Sequence, residues 1–348
     1  MSPVTERLAL GRAAFLWACG LDVAVRKPGN VSLASGGHAM EAEQFLASAR
    51  AAAGPLFARG RPVGERIEAA IVATRAAAGC NTNLGIVLLC APLAAALEHL
   101  PSDTPTAALE CAPDKSPVDH PAVRDGDAGC PPAALHAAVR GVLASLDIDD
   151  TRAAYRAIAL ANPGGLGRAA NQDVAAPPSV DLRAAMALAA QRDSIARQYA
   201  DGYADVFGAG LAALAAAEGR LAGAVQALFL CYLAGWPDSH IVRKHGDGVA
   251  QTVTAEATAW RARLRIDPAA GDEAAFAQWD ERLKAAGINP GTSADLTVCT
   301  LFAAALARPG LIGMGPAETW HGSCIHLGGI GPFPMPDTST SVLAGRAR

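Results

Sequence analysis

Alanine is the feature that most narrows what this chain can fold into: it makes up roughly a quarter of the 348 residues, far above ordinary usage. It is the best helix former and a poor strand former, and its methyl side chain lets helix axes approach closely, so the chain reads as all-α. Apolar residues recur at helical spacing over Thr5–Val25, Met40–Ala53, Glu65–Ala78, Leu84 to about Leu100, Thr151–Leu160, Val249–Arg265, Glu273–Ala286 and Ser293–Ala307. Pro92 predicts a bend in the fourth of these. Asp181–Ala217 reads as one long, partly polar helix or a helix pair, and Leu221–Gly235, apolar almost all round, as a central one.

Residues 101–132, rich in Pro, Asp, Ser, Thr and Ala and without period, read as a flexible surface insertion. Residues 309–348, rich in Gly, Pro, Ser and Thr, read as a flexible C-terminal extension. No fixed-period repeat is visible, so the expectation is a single-domain multi-helix bundle over 1–308, with polar loops converging on a central pocket.

A formal net charge of −4 leaves no basic excess for a nucleic-acid backbone. No apolar run is long enough for a membrane span, and the first ten residues lack a secretory pattern, so the expected location is cytoplasmic. The eight cysteines are scattered without a C-x-x-C pair, which argues against a zinc ribbon or a disulfide framework.

Because only 18% of residues are charged, the places where polar groups gather stand out. There are five, each where a loop meets a helix end: Lys27-Pro-Gly-Asn30 with His38; Asn81-Thr-Asn83-Leu-Gly85; Asn162 to Gly167 with Asp173; Asp238-Ser-His240 with Arg243-Lys244-His245; and Asn289-Pro-Gly-Thr-Ser-Ala-Asp295. Burying such groups apart from one another is costly, so they are expected to share one polar site. Gly291 to Ser293 opens a helix, where free N–H groups either bind a phosphate or are simply capped. Asn81 and Asn83 suit a cap or a ribose or base edge. Lys27, Arg243 and Lys244 suit phosphate oxygens. Asp238 suits Mg2+ or acid–base work, or a helix cap; His240 suits acid–base or hydrogen-bonding work. Asp193, Arg197, Asp201 and Asp205 follow at four-residue steps; the like-charge pair Asp201 and Asp205 is a candidate metal site, the rest a surface ladder. His321, Cys324 and His326 have metal-like spacing without an evident fourth ligand.

In this order the segments resemble the triphosphoribosyl-dephospho-CoA synthase family, over about Val25 to Arg308. Lys27-Pro28-Gly29, His38 and Phe45-Leu-Ala-Ser48-Ala49 stand where that family has Lys-Pro-Gly, a His and a Phe-Ser-Ala region. Gly79-Cys80-Asn81-Thr82-Asn83-Leu84-Gly85 is similar to its Gly-x-Asn-Thr-His-Lys-Gly, Asp238-Ser239-His240 with Arg243 to its Asp-Thr-Asn with Arg, and Asn289 to Leu296 to its Ser-Pro-Gly-Gly-Ser-Ala-Asp-Leu. The resemblance implies a reaction in which ATP loses adenine and C1 of its ribose joins the 2′-hydroxyl of dephospho-CoA, the triphosphate staying on the sugar. Such chemistry implies an anchored polyphosphate (Lys27, Asn30, Arg243, Lys244, Gly291, Ser293), proton-handling groups (Asp238, Asp295, His38, His240) and Mg2+. The sequence departs from the family at Asn83-Leu84, which replace His-Lys, and at His240, which replaces Asn. Ribosyl or phosphoribosyl transfer in one-carbon (pterin or furan) cofactor synthesis is an alternative, and a non-catalytic helical binding protein a second. Nucleic acid and membrane are not expected partners; a homodimer is left open.

Overall fold

Several helices begin where the sequence supplies a group for their first free N–H donors. The structure is a computed structural model and describes residues 2–101, 129–164 and 166–322. Ser2 caps α1 (Pro3–Ala24) by accepting from Thr5 N, and a reciprocal box between Glu41 and Gln44 opens α2 (Ala42–Leu56). α3 (Val63–Ala78) closes on a left-handed Gly79. Asn81 Oδ1 then accepts from Leu84 N at 3.2 Å at the start of α4 (Leu84–His99). α5 (Pro132–Ser145) is followed by α6 (Ile148–Ala161), α7 (Leu182–Ala187), α8 (Ser194–Asp201) and α9 (Leu211–Ala215). The second half of the chain adds α10 (Leu221–Gly235), α11 (Ser239–His245), α12 (Asp247–Ile266), α13 (Ala274–Ala285) and α14 (Gly291–Ala307).

α4, α10 and α14 are the interior of the bundle, as their lack of a polar face requires. α1, α4 and α10 all pack on α14. Phe15, Phe57 and Phe302 meet edge-on or tilted at 5.9–6.2 Å between ring centres and knit α1, α2 and α14 together. A satellite core under α12 and α13 is built on Phe229, Phe276, Trp279 and Leu283. Among the described residues the one sheet is a two-stranded antiparallel ribbon of β1 (Glu218–Arg220) and β2 (Thr319–His321). The all-α expectation holds.

Two expectations need correcting. Asp181–Ala217 is neither one helix nor a pair but α7, α8, a π-helical turn at Val206–Gly210 and α9. α8 stops because Gly202 and Tyr203 both take positive φ, 68° and 63°, and Asp193 starts it afresh by accepting from Ile195 N and Ala196 N. Asp201 and Asp205 therefore do not share a helix face. The chain beyond 308 also does not turn flexible at once. Trp320 is buried and donates to Leu214 O, Met314 O accepts from Trp17 Nε1, and β2 pairs with β1, so residues 309–322 belong to the folded body. The glycine and proline there, which suggest flexibility, instead shape a turn that delivers one tryptophan to the core. Residues 102–128 of the expected insertion and 323–348 of the expected extension lie outside the described residues; Gly129 and Cys130, at the insertion's end, bond to Ala307 O and Leu306 O.

Candidate active site

The loops that separate the apolar helices come together on one cavity of about 690 Å3, within the size range of small-molecule sites. Asn30 and His38, Asn81, Asn162 to Asp173, His240 to Lys244, and Asn289 to Asp295 all contribute to its wall. The convergence expected of the five segments is what the fold produces. Strained backbone gathers here as well: of the five non-glycine residues at positive φ among the described residues, His38, Asn162 and Gln172 line this cavity.

The turn that carries Asn30 is seated on the start of α14. Gly29 sits at φ 80° with Pro290 Cδ 2.7 Å from where a side chain would begin, so only glycine fits. Its N–H donates to Asp280 Oδ1 at 2.8 Å, and Asn30 Nδ2 donates to Asn289 Oδ1 at 3.1 Å. His38 Nε2 bonds to Gly29 O at 2.8 Å; burial lowers its pKa, so the ring is mainly neutral at neutral pH.

Lys27 does not line the cavity. It is fully buried, with Nζ 3.1 Å from Asp22 Oδ1 and a second bond to Asp22 O. Its charge is committed to Asp22, which does line the cavity, so the expected contact with a polyphosphate is not what this lysine makes. Burial raises the Asp22 pKa and Lys27 opposes that rise.

Asp238 is likewise one layer behind the wall. Its Oδ1 accepts from His240 N at 2.9 Å and Ile241 N at 3.2 Å, capping α11. Its Oδ2 accepts from Ser293 N at 2.7 Å and Ser293 Oγ at 2.8 Å, capping α14. With four donors on two oxygens it has no lone pair directed at a ligand, and the capping alternative describes it; burial still pushes its pKa up against those four bonds. Ser293 is spent on the same contact, which leaves Gly291 as the part of the α14 entrance that reaches the cavity, packed against the His240 ring.

Asp295, one turn into α14, is the exception among the acids. It lines the cavity, and no donor in the described structure reaches its carboxylate. Gly85 makes room for it, since a methyl group there would overlap Asp295 Oδ2. Burial, then the charges of Asp22 and Asp238, raise its pKa well above the usual carboxylate range. His240 faces the same space with no bonded partner on its ring; burial and the nearby Arg243 and Lys244 hold its pKa at about 4, so it is neutral. Arg243 Nη1 donates to Asp193 Oδ2 at 2.6 Å, which aims the guanidinium and leaves its Nε unpartnered. Lys244, Arg75 and Arg192 complete a cationic rim.

The metal candidates do not assemble. Asp205 accepts from Arg197 at 2.9 Å and Gln198 at 2.6 Å; neither it nor Asp201 lines the cavity, and Asp238 is saturated. Among the described residues no group of three or more His, Cys, Asp or Glu side chains could hold a metal ion. His321 bonds to Glu218 at 3.3 Å, while Cys324 and His326 lie outside the described residues. Asn83 is buried behind the wall with both amide atoms unpartnered, and Leu84 lines the wall. Asp22, Asp193, Arg75 and Arg192 were missed as site residues; a lone carboxylate between Leu21 and Val23 on an apolar helix was the available signal for Asp22.

The fold and site together are an all-α bundle with an unpartnered acid, two imidazoles and a cationic rim on one cavity. The chain belongs to the ATP:dephospho-CoA triphosphoribosyl transferase (CitG) family, whose model it matches over residues 9–312. No curated protein sequence matches it. A solved structure it resembles, from Archaeoglobus fulgidus and assigned as a triphosphoribosyl-dephospho-CoA synthase, has TM-score 0.53 and 24% identity. The match covers 76% of this chain and 98% of the other and shows a shared fold. The family expected from the five motifs is thus the family found, and the one-carbon and scaffold alternatives gain no support. No described helix is long and apolar enough to cross a membrane.

Proposed function

We propose that this cavity is where ATP loses adenine and its triphosphoribosyl group passes to the 2′-hydroxyl of dephospho-CoA. The observation that carries the reading is the Asp295 carboxyl, which lines the cavity with no partner among the described residues and whose pKa burial raises. As C1′–N9 breaks, Asp295 gives its proton to the departing adenine. As the new C1′–O bond forms, neutral His240 takes the acceptor hydroxyl's proton and returns it to the Asp295 carboxylate. The net change is one proton moved from acceptor to adenine, with the glycosidic bond exchanged. Arg243, aimed by Asp193, meets the triphosphate, and His38, Asn30 and Asn81 border the nucleotide.

Among the described residues no group of carboxylates fits a resident metal, so Mg2+ would arrive with the triphosphate, held by phosphate oxygens and water. EDTA is then expected to slow turnover without lowering the melting temperature of the free protein. The test is to incubate the protein with ATP, Mg2+ and dephospho-CoA and follow adenine by chromatography. Wild type should release it and Asp295→Asn should release about 10²–10⁴-fold less; equal rates would remove Asp295 from the mechanism.

A further inference from the structure

Between the end of α6 and the start of α8 the lip of the cavity presents Ile158, Leu166, Met186 and Leu188. Leu166 and Leu188 are 42% and 53% exposed, two of only six large hydrophobic side chains so exposed among the described residues. Single exposed leucines are ordinary, but two on the rim of one cavity form a surface that gains by being covered. Arg192 and Lys244 line the same cavity, and Lys244 lies beside Gly164 of the lip loop. The loop is held in shape, since Tyr155 Oη donates to Gln172 O at 2.8 Å and Asp173 accepts from Ala169 N and Ala175 N.

We propose that this lip is the subsite for the pantetheine arm of the acceptor, with Leu166 and Leu188 under its gem-dimethyl segment and Arg192 and Lys244 at its diphosphate. The inference rests on the transfer reading for the identity of the acceptor. Of the two substrates only dephospho-CoA carries a long, weakly polar arm; a triphosphate has nothing to gain from leucine.

The test compares calorimetric binding of dephospho-CoA with that of ADP, which is the same nucleotide without the arm, and needs no turnover. Wild type is expected to bind dephospho-CoA at least tenfold more tightly. The double variant Leu166→Asp, Leu188→Asp, altered only at exposed positions, is expected to lose that preference while its ADP affinity and its KM for ATP stay within about twofold. Equal wild-type affinities, a preference that survives both substitutions, or an equal loss for ADP would overturn the lip assignment, even with adenine release intact. A tenfold preference without any adenine release would uphold the lip and overturn the transfer reading instead, and failure to bind either ligand would overturn both.

Discussion

Asp295 and Gly85 form the residue pair on which the proposed chemistry turns, a half-buried acid without a donor that fits only because Gly85 leaves room for it. The sign of its effect on stability follows from its raised pKa. The folded state holds the proton more tightly than the unfolded chain, so the carboxyl's contribution is most favourable below the ordinary Asp range and is lost as pH rises toward the folded value. Asp295→Asn should therefore raise the melting temperature at neutral pH while slowing turnover, and the gain should shrink as pH falls toward 4; thermal scans at several pH values check it. Gly85→Ala should do the reverse of a harmless helix substitution, displacing Asp295 and cutting turnover at least tenfold, read as adenine release. Lys27→Met leaves Asp22 buried without its cation and is expected to cost about 3–5 kcal/mol in denaturant unfolding. If Lys27 instead met phosphate, that variant would raise the KM for ATP and leave stability alone. That Asp295, His240 and Arg243 line one cavity was legible because each is a polar group in an apolar neighbourhood. Lys27 and Asp238 carry the same signal, and sequence does not say whether a buried charge faces a ligand or another charge.

At the scale of elements, one carboxylate sets the geometry of the site by joining two helix starts. Asp238 caps α11, which carries His240, Arg243 and Lys244, and α14, which carries Asp295. Replacing it by Ala removes both caps, for an expected loss of roughly 2–4 kcal/mol in denaturant unfolding, with a raised KM for ATP as well. The start of α4 behind Asn81 and the cap at Asp238 were readable, whereas Asp147 and Asp193, which cap α6 and α8, were not. The breakup of Asp181–Ala217 was not readable. The stretch keeps helical residues throughout, and what ends α8 is a left-handed Gly202 followed by Tyr203 buried with its hydroxyl on Leu89 O, a tertiary contact that no local pattern carries.

In the whole molecule, alanine's small side chain and the scarcity of charge work together. α4 and α14 bury nearly every residue, so their polar ends have no choice but to meet where the packing stops, and there the cavity forms. The fold class and the convergence of the loops were therefore legible from composition, while the ribbon that folds residues 309–322 back was not, since its anchors, Trp320 in the core and Met314 O on Trp17, are tertiary contacts. The account as a whole stands on group transfer at that cavity. Mass spectrometry of dephospho-CoA after incubation with ATP and Mg2+ tests it most directly: the predicted result is an acceptor carrying one added triphosphoribosyl group, matched mole for mole by free adenine and absent with Asp295→Asn. An unmodified acceptor with ATP intact, or ADP appearing in place of adenine, would contradict it.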